Sequence, residues 1–119
     1  MNEHGKLNYV EFPAKDIDAT KAFFMAVFDW SFTDYGPDYT SFKDQGLHGG
    51  FYRSDLKSLT ENGAALLVFY SKNLEQTLDR VTAAGGTIVK QIFSFPGGRR
   101  FHFTEPSGSE FAVWSEIGE

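Results

Sequence analysis

The chain has no cysteine. That excludes disulfides, thiolate catalysis and any zinc site built on cysteine sulfur. Basic residues are scarce as well: 11 Lys and Arg stand against 16 Asp and Glu, for a net charge of −5. Phosphate binding needs a basic patch, and Arg99-Arg100 is the one adjacent basic pair, which argues against nucleic acid as a partner. No run approaches the roughly 20 apolar residues that a membrane helix requires. Met1-Asn2-Glu3-His4-Gly5-Lys6 carries no apolar signal core. The expectation is a cytoplasmic protein with no membrane partner.

What is abundant is aromatic. Aromatics make up 17% of the chain and 13 residues are Phe, enough for a Phe-rich core and, beyond it, an aromatic-walled pocket. At 119 residues the chain is long enough for one domain with its own core.

The plan of the chain is written twice. Leu7 to Phe12 reads as a strand, Asp16 caps a helix, and short strands rich in Gly and aromatics follow. About 57 residues further on, Ala65 to Tyr70 is again a strand, Asn73 caps a second helix, and three more strands run to Trp114. Ile17, Phe23, Phe24, Val27 and Phe28 form the buried stripe of the first helix, which ends near Asp29. Thr20 lies on that stripe, and its hydroxyl needs a partner there. Leu74, Leu78, Val81 and Ala84 are the second stripe, with Gly85 in the left-handed turn behind it. The remaining strands are read at Trp30 to Tyr35, Tyr39 to Lys43, Leu47 to Arg53, Thr87 to Phe93, Arg99 to Thr104 and Ser109 to Glu116. Gly49-Gly50, inside a strand, marks a bulge or a close backbone approach. Ser54 to Gly63 is a polar linker. The fold class is therefore α+β: two βαβββ modules, about 1–54 and about 62–119, forming a curved mixed sheet around a cleft.

Three passages resemble the vicinal oxygen chelate superfamily, which includes glyoxalase I, bleomycin-resistance proteins, fosfomycin-resistance enzymes and extradiol dioxygenases. They are Tyr9 to Ile17 with the helix behind it, Leu78 to Gly86 with its Ala-Ala-Gly-Gly end, and Phe103 to Phe111, which is similar to the family's D-P-D-G hairpin. The resemblance implies a divalent metal held by His and Glu side chains in the cleft. Here the three ligand positions carry Tyr9, Leu66 and Ala112, so no metal and no cofactor is expected.

With those positions turned inward, strand alternation brings Glu11, Tyr70, Glu110 and Trp114 to the cleft. Resemblance to the fosfomycin-resistance enzymes adds His102 as a substrate-contacting position, with Arg100 two residues earlier. His102 and Glu11 are the catalytic candidates; Tyr9, Arg100, Glu110, Tyr70 and Trp114 are the ligand-binding candidates. Each polar member has a structural alternative. Glu11 can pair with a Lys or Arg, His102 can be a satisfied sheet histidine, Arg100 can be solvated at a rim, and Glu110 can be exposed after its turn. His48 stands beside the cleft or faces water. The Gly97-Gly98 turn lacks the following helix that would make it a phosphate loop.

The favoured reading is a metal-independent protein that binds a small molecule, similar to bleomycin-resistance proteins. Those are dimers that sequester cationic drugs in an acidic, aromatic-lined groove, so the resemblance implies a homodimer. The alternative is a lyase or isomerase acting beside a carbonyl, with His102 as general acid or base tuned by Glu11 or Glu110. In a less favoured version His102, Glu11 and Glu110 hold a relocated metal. A ligand-free partner module is the third reading.

Overall fold

Asp16 ends the first strand and opens the first helix, because its carboxylate accepts from the Ala19 N–H at 3.0 Å. In the computed structural model, which describes residues 2–116, β1 (Tyr9–Ala14) leads into α1 (Ile17–Phe28). Met1 and residues 117–119, the outer ends of the two expected modules, lie outside the described residues. The helix stops at Asp29, which takes the left-handed conformation (φ 60°) and donates its N–H to Met25 O and Phe24 O.

β2 (Thr33–Asp34) is far shorter than the strand expected from Trp30. The indole of Trp30 is buried instead, stacked on Phe24 at 4.6 Å and against Phe42 at 4.2 Å. That burial draws the chain into the core before the sheet begins. β3 (Tyr39–Gln45) and β4 (Leu47–Arg53) form a tight hairpin through Gly46. The linker contains a 3-10 turn at Thr60–Asn62. β5 (Leu67–Tyr70) starts later than expected because Ala64 folds back onto Leu59 O. Asn73 caps α2 (Leu74–Ala83) by accepting from the Gln76 N–H, and Gly85 follows with φ 98°. β6 (Thr87–Phe95) runs two residues beyond its expected end, and β7 (Gly98–Thr104) and β8 (Glu110–Glu116) complete the chain. No helix among the described residues is long and apolar enough to cross a membrane.

The repeat holds at the level of topology. The first sheet has strand order β1-β4-β3-β2, the second β5-β8-β7-β6, and in each the first and last strands run parallel. The α+β class and the two βαβββ units are as expected. The hydrogen bonding among the described residues gives two four-stranded sheets, however, and not one continuous one. Residues of both β1 and β5 line an apolar hollow of 410 Å³, among them Val10, Phe12, Phe42, Leu67, Phe69 and Phe111.

One core serves both halves. Phe24 touches Phe51 of the first sheet at 5.5 Å and Phe111 of the second at 5.3 Å, while Phe12 and Phe111 meet directly at 4.9 Å. Such aromatic pairs add about 0.5–1.5 kcal/mol each beyond the area they bury. Eleven of the 13 Phe residues belong to this cluster; Phe93 and Phe95 do not. Those two therefore need another explanation.

Candidate functional site on the second sheet

Strand β7 sorts its side chains by alternation. Phe101 and Phe103 are fully buried under the helices, which sends Arg100 and His102 to the opposite, outer face. Register places His102 beside Ala112 and Arg100 beside Trp114, with Lys90 and Phe93 opposite them on β6. Val68 and Tyr70 extend the same face on β5.

His102 is 2% exposed and Glu110 is 7% exposed, and they form a pair, with 2.8 Å between Nδ1 and Oε2. The other Glu110 oxygen, Oε1, accepts from the Thr60 N–H at 3.0 Å and the Thr60 hydroxyl at 2.8 Å. Burial pushes the Glu110 carboxyl up, but the hydrogen bonds from His102 and Thr60 outweigh it and hold the group below its ordinary range. Glu110 is thus an ionised acceptor at neutral pH, and the shared bond uses an Nδ1–H donor. A neutral imidazole in that tautomer carries its lone pair on Nε2.

Nε2 of His102 is buried and has no hydrogen-bond partner among the described residues; the same holds for Nε of Arg100. Leaving such a group unpaired costs about 1–3 kcal/mol. Both side chains are covered by Phe93. Its ring lies 5.9 Å from the imidazole and 5.4 Å from the Arg100 guanidinium carbon, which also sits 5.6 Å from Phe95. Phe95 continues to Trp114 at 6.2 Å, and Trp114 to Tyr70 at 5.2 Å. Tyr70 donates its hydroxyl to Glu116 at 2.8 Å. The two Phe residues left out of the core therefore roof this face.

Tyr9 and Glu11 belong to a separate cluster on the first sheet. Tyr39 donates its hydroxyl to Glu11 at 2.9 Å, so Tyr9 must donate to Tyr39. Burial first, then these two bonds, raise the Tyr39 phenol well above its usual range. Glu11 is thus held by a tyrosine and not by the Lys or Arg of the structural alternative, and the partner of His102 is Glu110, not Glu11. His48 accepts from the Asp44 N–H at 3.1 Å within the hairpin turn.

Gly50 lies beneath Tyr39, whose hydroxyl fills the place a Cβ would take. Gly50→Ala is expected to cost about 1–3 kcal/mol by overpacking. It should also return Tyr39 toward ordinary phenol ionisation. Urea unfolding and a spectrophotometric tyrosine titration check both. An unchanged titration would mean that Tyr39 does not depend on this seat.

Sequence reasoning selected His102 and Glu110 but missed their partner Thr60, the roof residues Phe93 and Phe95, and Tyr39. The Phe-Ser-Phe alternation at the end of β6 was the available signal for the roof.

The metal implied by resemblance does not fit these residues. Leu66 and Ala112 have no donor atoms, and the Tyr9 hydroxyl is engaged with Tyr39. Among the described residues no three His, Asp or Glu side chains gather as a metal group, and that includes His102, Glu11 and Glu110.

Two βαβββ units of matching topology, built over one aromatic core, define a paired-repeat α+β architecture. The chain belongs to the Glyoxalase/Bleomycin resistance protein/Dioxygenase superfamily, whose profile matches residues 6–113. Among solved structures it is similar to a glyoxalase/bleomycin resistance protein/dioxygenase family enzyme from Burkholderia phytofirmans PsJN. That pair shares 18% identity over 95% of this chain and 100% of the other, with a TM-score of 0.79. It is also similar to the fosfomycin resistance protein FosX from Listeria monocytogenes, at 19% identity over 98% and 97% of the two chains and a TM-score of 0.78. A lactoylglutathione lyase from Agrobacterium tumefaciens follows at 17% identity, 95% of each chain and a TM-score of 0.70. No curated protein sequence matches the chain.

Proposed function

We propose that the protein binds a small molecule on the outer face of its second sheet, without a metal. The observation that carries this reading is the roofed cluster: Arg100 between Phe93 and Phe95, Trp114 and Tyr70 beside them, and the His102–Glu110 pair beneath. Flat aromatic surface next to a few placed polar atoms is the usual make-up of a small-molecule site. A homodimer is part of the reading. It is supported by the exposed Tyr9, Val68 and Tyr70, which stand along the edge strands β1 and β5.

The test is a thermal-shift series with small aromatic carbonyl compounds, run before and after EDTA treatment. The melting temperature is expected to rise equally in both, since a ligand stabilises the native state by mass action. A rise that depends on added Zn²⁺ or Mn²⁺, or none at all, overturns the proposal.

A second reading, a metal-free lyase or isomerase acting beside a carbonyl, is favoured by the buried His102–Glu110 pair. An imidazole oriented by a carboxylate is the arrangement of a general base. This reading expects the protein to speed deuterium uptake at the carbon next to the carbonyl of a bound probe.

A further inference from the structure

The roofed face holds two buried polar atoms, Arg100 Nε and His102 Nε2, that have no hydrogen-bond partner among the described residues. Arg100 Nε is always a donor. In the neutral imidazole that gives its Nδ1–H to Glu110, a carboxylate Thr60 also holds in place, Nε2 carries the lone pair and is an acceptor. The two residues are two apart on β7, so their side chains leave the sheet about 7 Å from each other, and Phe93 spans both. An amide nitrogen and oxygen, each reaching out by a hydrogen bond of about 2.9 Å, can bridge such a gap.

Resting on the reading of this face as the ligand site, we propose that the ligand presents a hydrogen-bond donor and a carbonyl acceptor side by side. The donor meets His102 Nε2 and the carbonyl meets Arg100 Nε, after Phe93 has swung aside. The class is that of small aromatic amides and other neutral compounds with an amide-like edge; simple carboxylates and ammonium compounds fall outside it. The strand carrying Phe93 suits such a movement. The β6–β7 register breaks between Lys90 and Phe93, and irregular pairing of this kind often re-aims a side chain at a site.

Binding of four probes of one size decides the matter: benzamide, acetophenone, benzylamine and benzoate, each titrated at millimolar concentration while the Trp114 indole resonance is followed. Benzamide offers donor and acceptor, acetophenone and benzoate acceptors only, and benzylamine donors only. Benzamide is expected to bind roughly tenfold more tightly than the other three, the effect of one buried hydrogen bond. Arg100→Met keeps an unbranched stem between the two Phe rings and removes the donor. It should erase the advantage of benzamide over benzylamine while leaving its advantage over acetophenone. Equal binding of benzamide and acetophenone overturns the inference, and so does benzoate as the tightest probe, since benzoate offers acceptors alone. In both cases the face still stands as the site. No response at Trp114 from any probe overturns the inference and the site together. Because the ranking is read on the wild-type protein, it does not depend on any variant folding.

Discussion

Phe24→Ala should lose about 3–5 kcal/mol of stability, the range for a fully buried Phe cut back to Ala. The ring is 0% exposed and sits where both halves of the molecule meet. It packs on Trp30, Phe51 and Phe111, and its helix neighbour Phe28 lies flat on Phe69 at 4.0 Å. These neighbours come from separate elements of both sheets, so no single backbone shift can close the cavity. Urea unfolding at constant slope measures the loss. A loss near 1 kcal/mol would mean that the core relaxes around the cavity. Phe24→Leu, which refills part of the volume, should recover a large share of the difference.

Glu105→Ala is the second large effect, at roughly 2–4 kcal/mol, the cost of breaking a buried polar network. Glu105 is 2% exposed in the turn between β7 and β8. One oxygen accepts from the Thr20 hydroxyl at 2.6 Å and the Ser107 N–H at 3.0 Å, the other from the Ser109 N–H at 2.9 Å. Ser107 in turn accepts from the Asp16 N–H at 3.1 Å, so the turn of the second half is fastened to the first turn of α1.

The pH dependence of this network has a definite sign. Burial raises the Glu105 carboxyl above its ordinary 4.5, although the Thr20 hydroxyl and the turn amides pull the other way. Just above that value the folded protein keeps a proton that the unfolded chain has released, so this contribution shrinks as pH rises through the window. Glu110 behaves oppositely: its carboxyl is lowered, and its contribution is lost as pH falls through the folded value. The stability gap between wild type and Glu105→Gln should therefore narrow on going from about pH 4 to about pH 7. A gap that widens would contradict the raised carboxyl.

Features written in local chemistry were legible in the sequence. Asp16 and Asn73 cap their helices through bonds three residues long, and Gly85 takes the positive φ that its position demands. Gly49-Gly50 marked a close approach, and the rings of Phe42 and Tyr39 make it. Thr20 needed a partner on its buried stripe and finds two, Glu105 and Ser107.

What depended on distant partners was not legible. Trp30 reads as a strand residue until Phe24 and Phe42 are seen to claim it. Glu110 follows a turn, where exposure is the ordinary expectation; Thr60, 50 residues away, buries it. Net charge did not reveal local charge either. An acidic chain suggests a cationic ligand, yet Lys90 and Arg100 both stand on the face of the second sheet where His102 lies. The sum of charges says nothing about how strand register distributes them.

The shared core has a consequence for the history of such a chain. A duplicated half can begin as one of two interchangeable copies. Once Phe12 and Phe24 of one copy interlock with Phe111 of the other, neither can mutate freely, and the copies become co-dependent. Cut anywhere between residues 54 and 63, the protein would fall into two fragments that each expose half of an aromatic interior. Alone they would be sticky and unstructured; mixed, they would rebuild one another, which suits the chain to split-protein complementation.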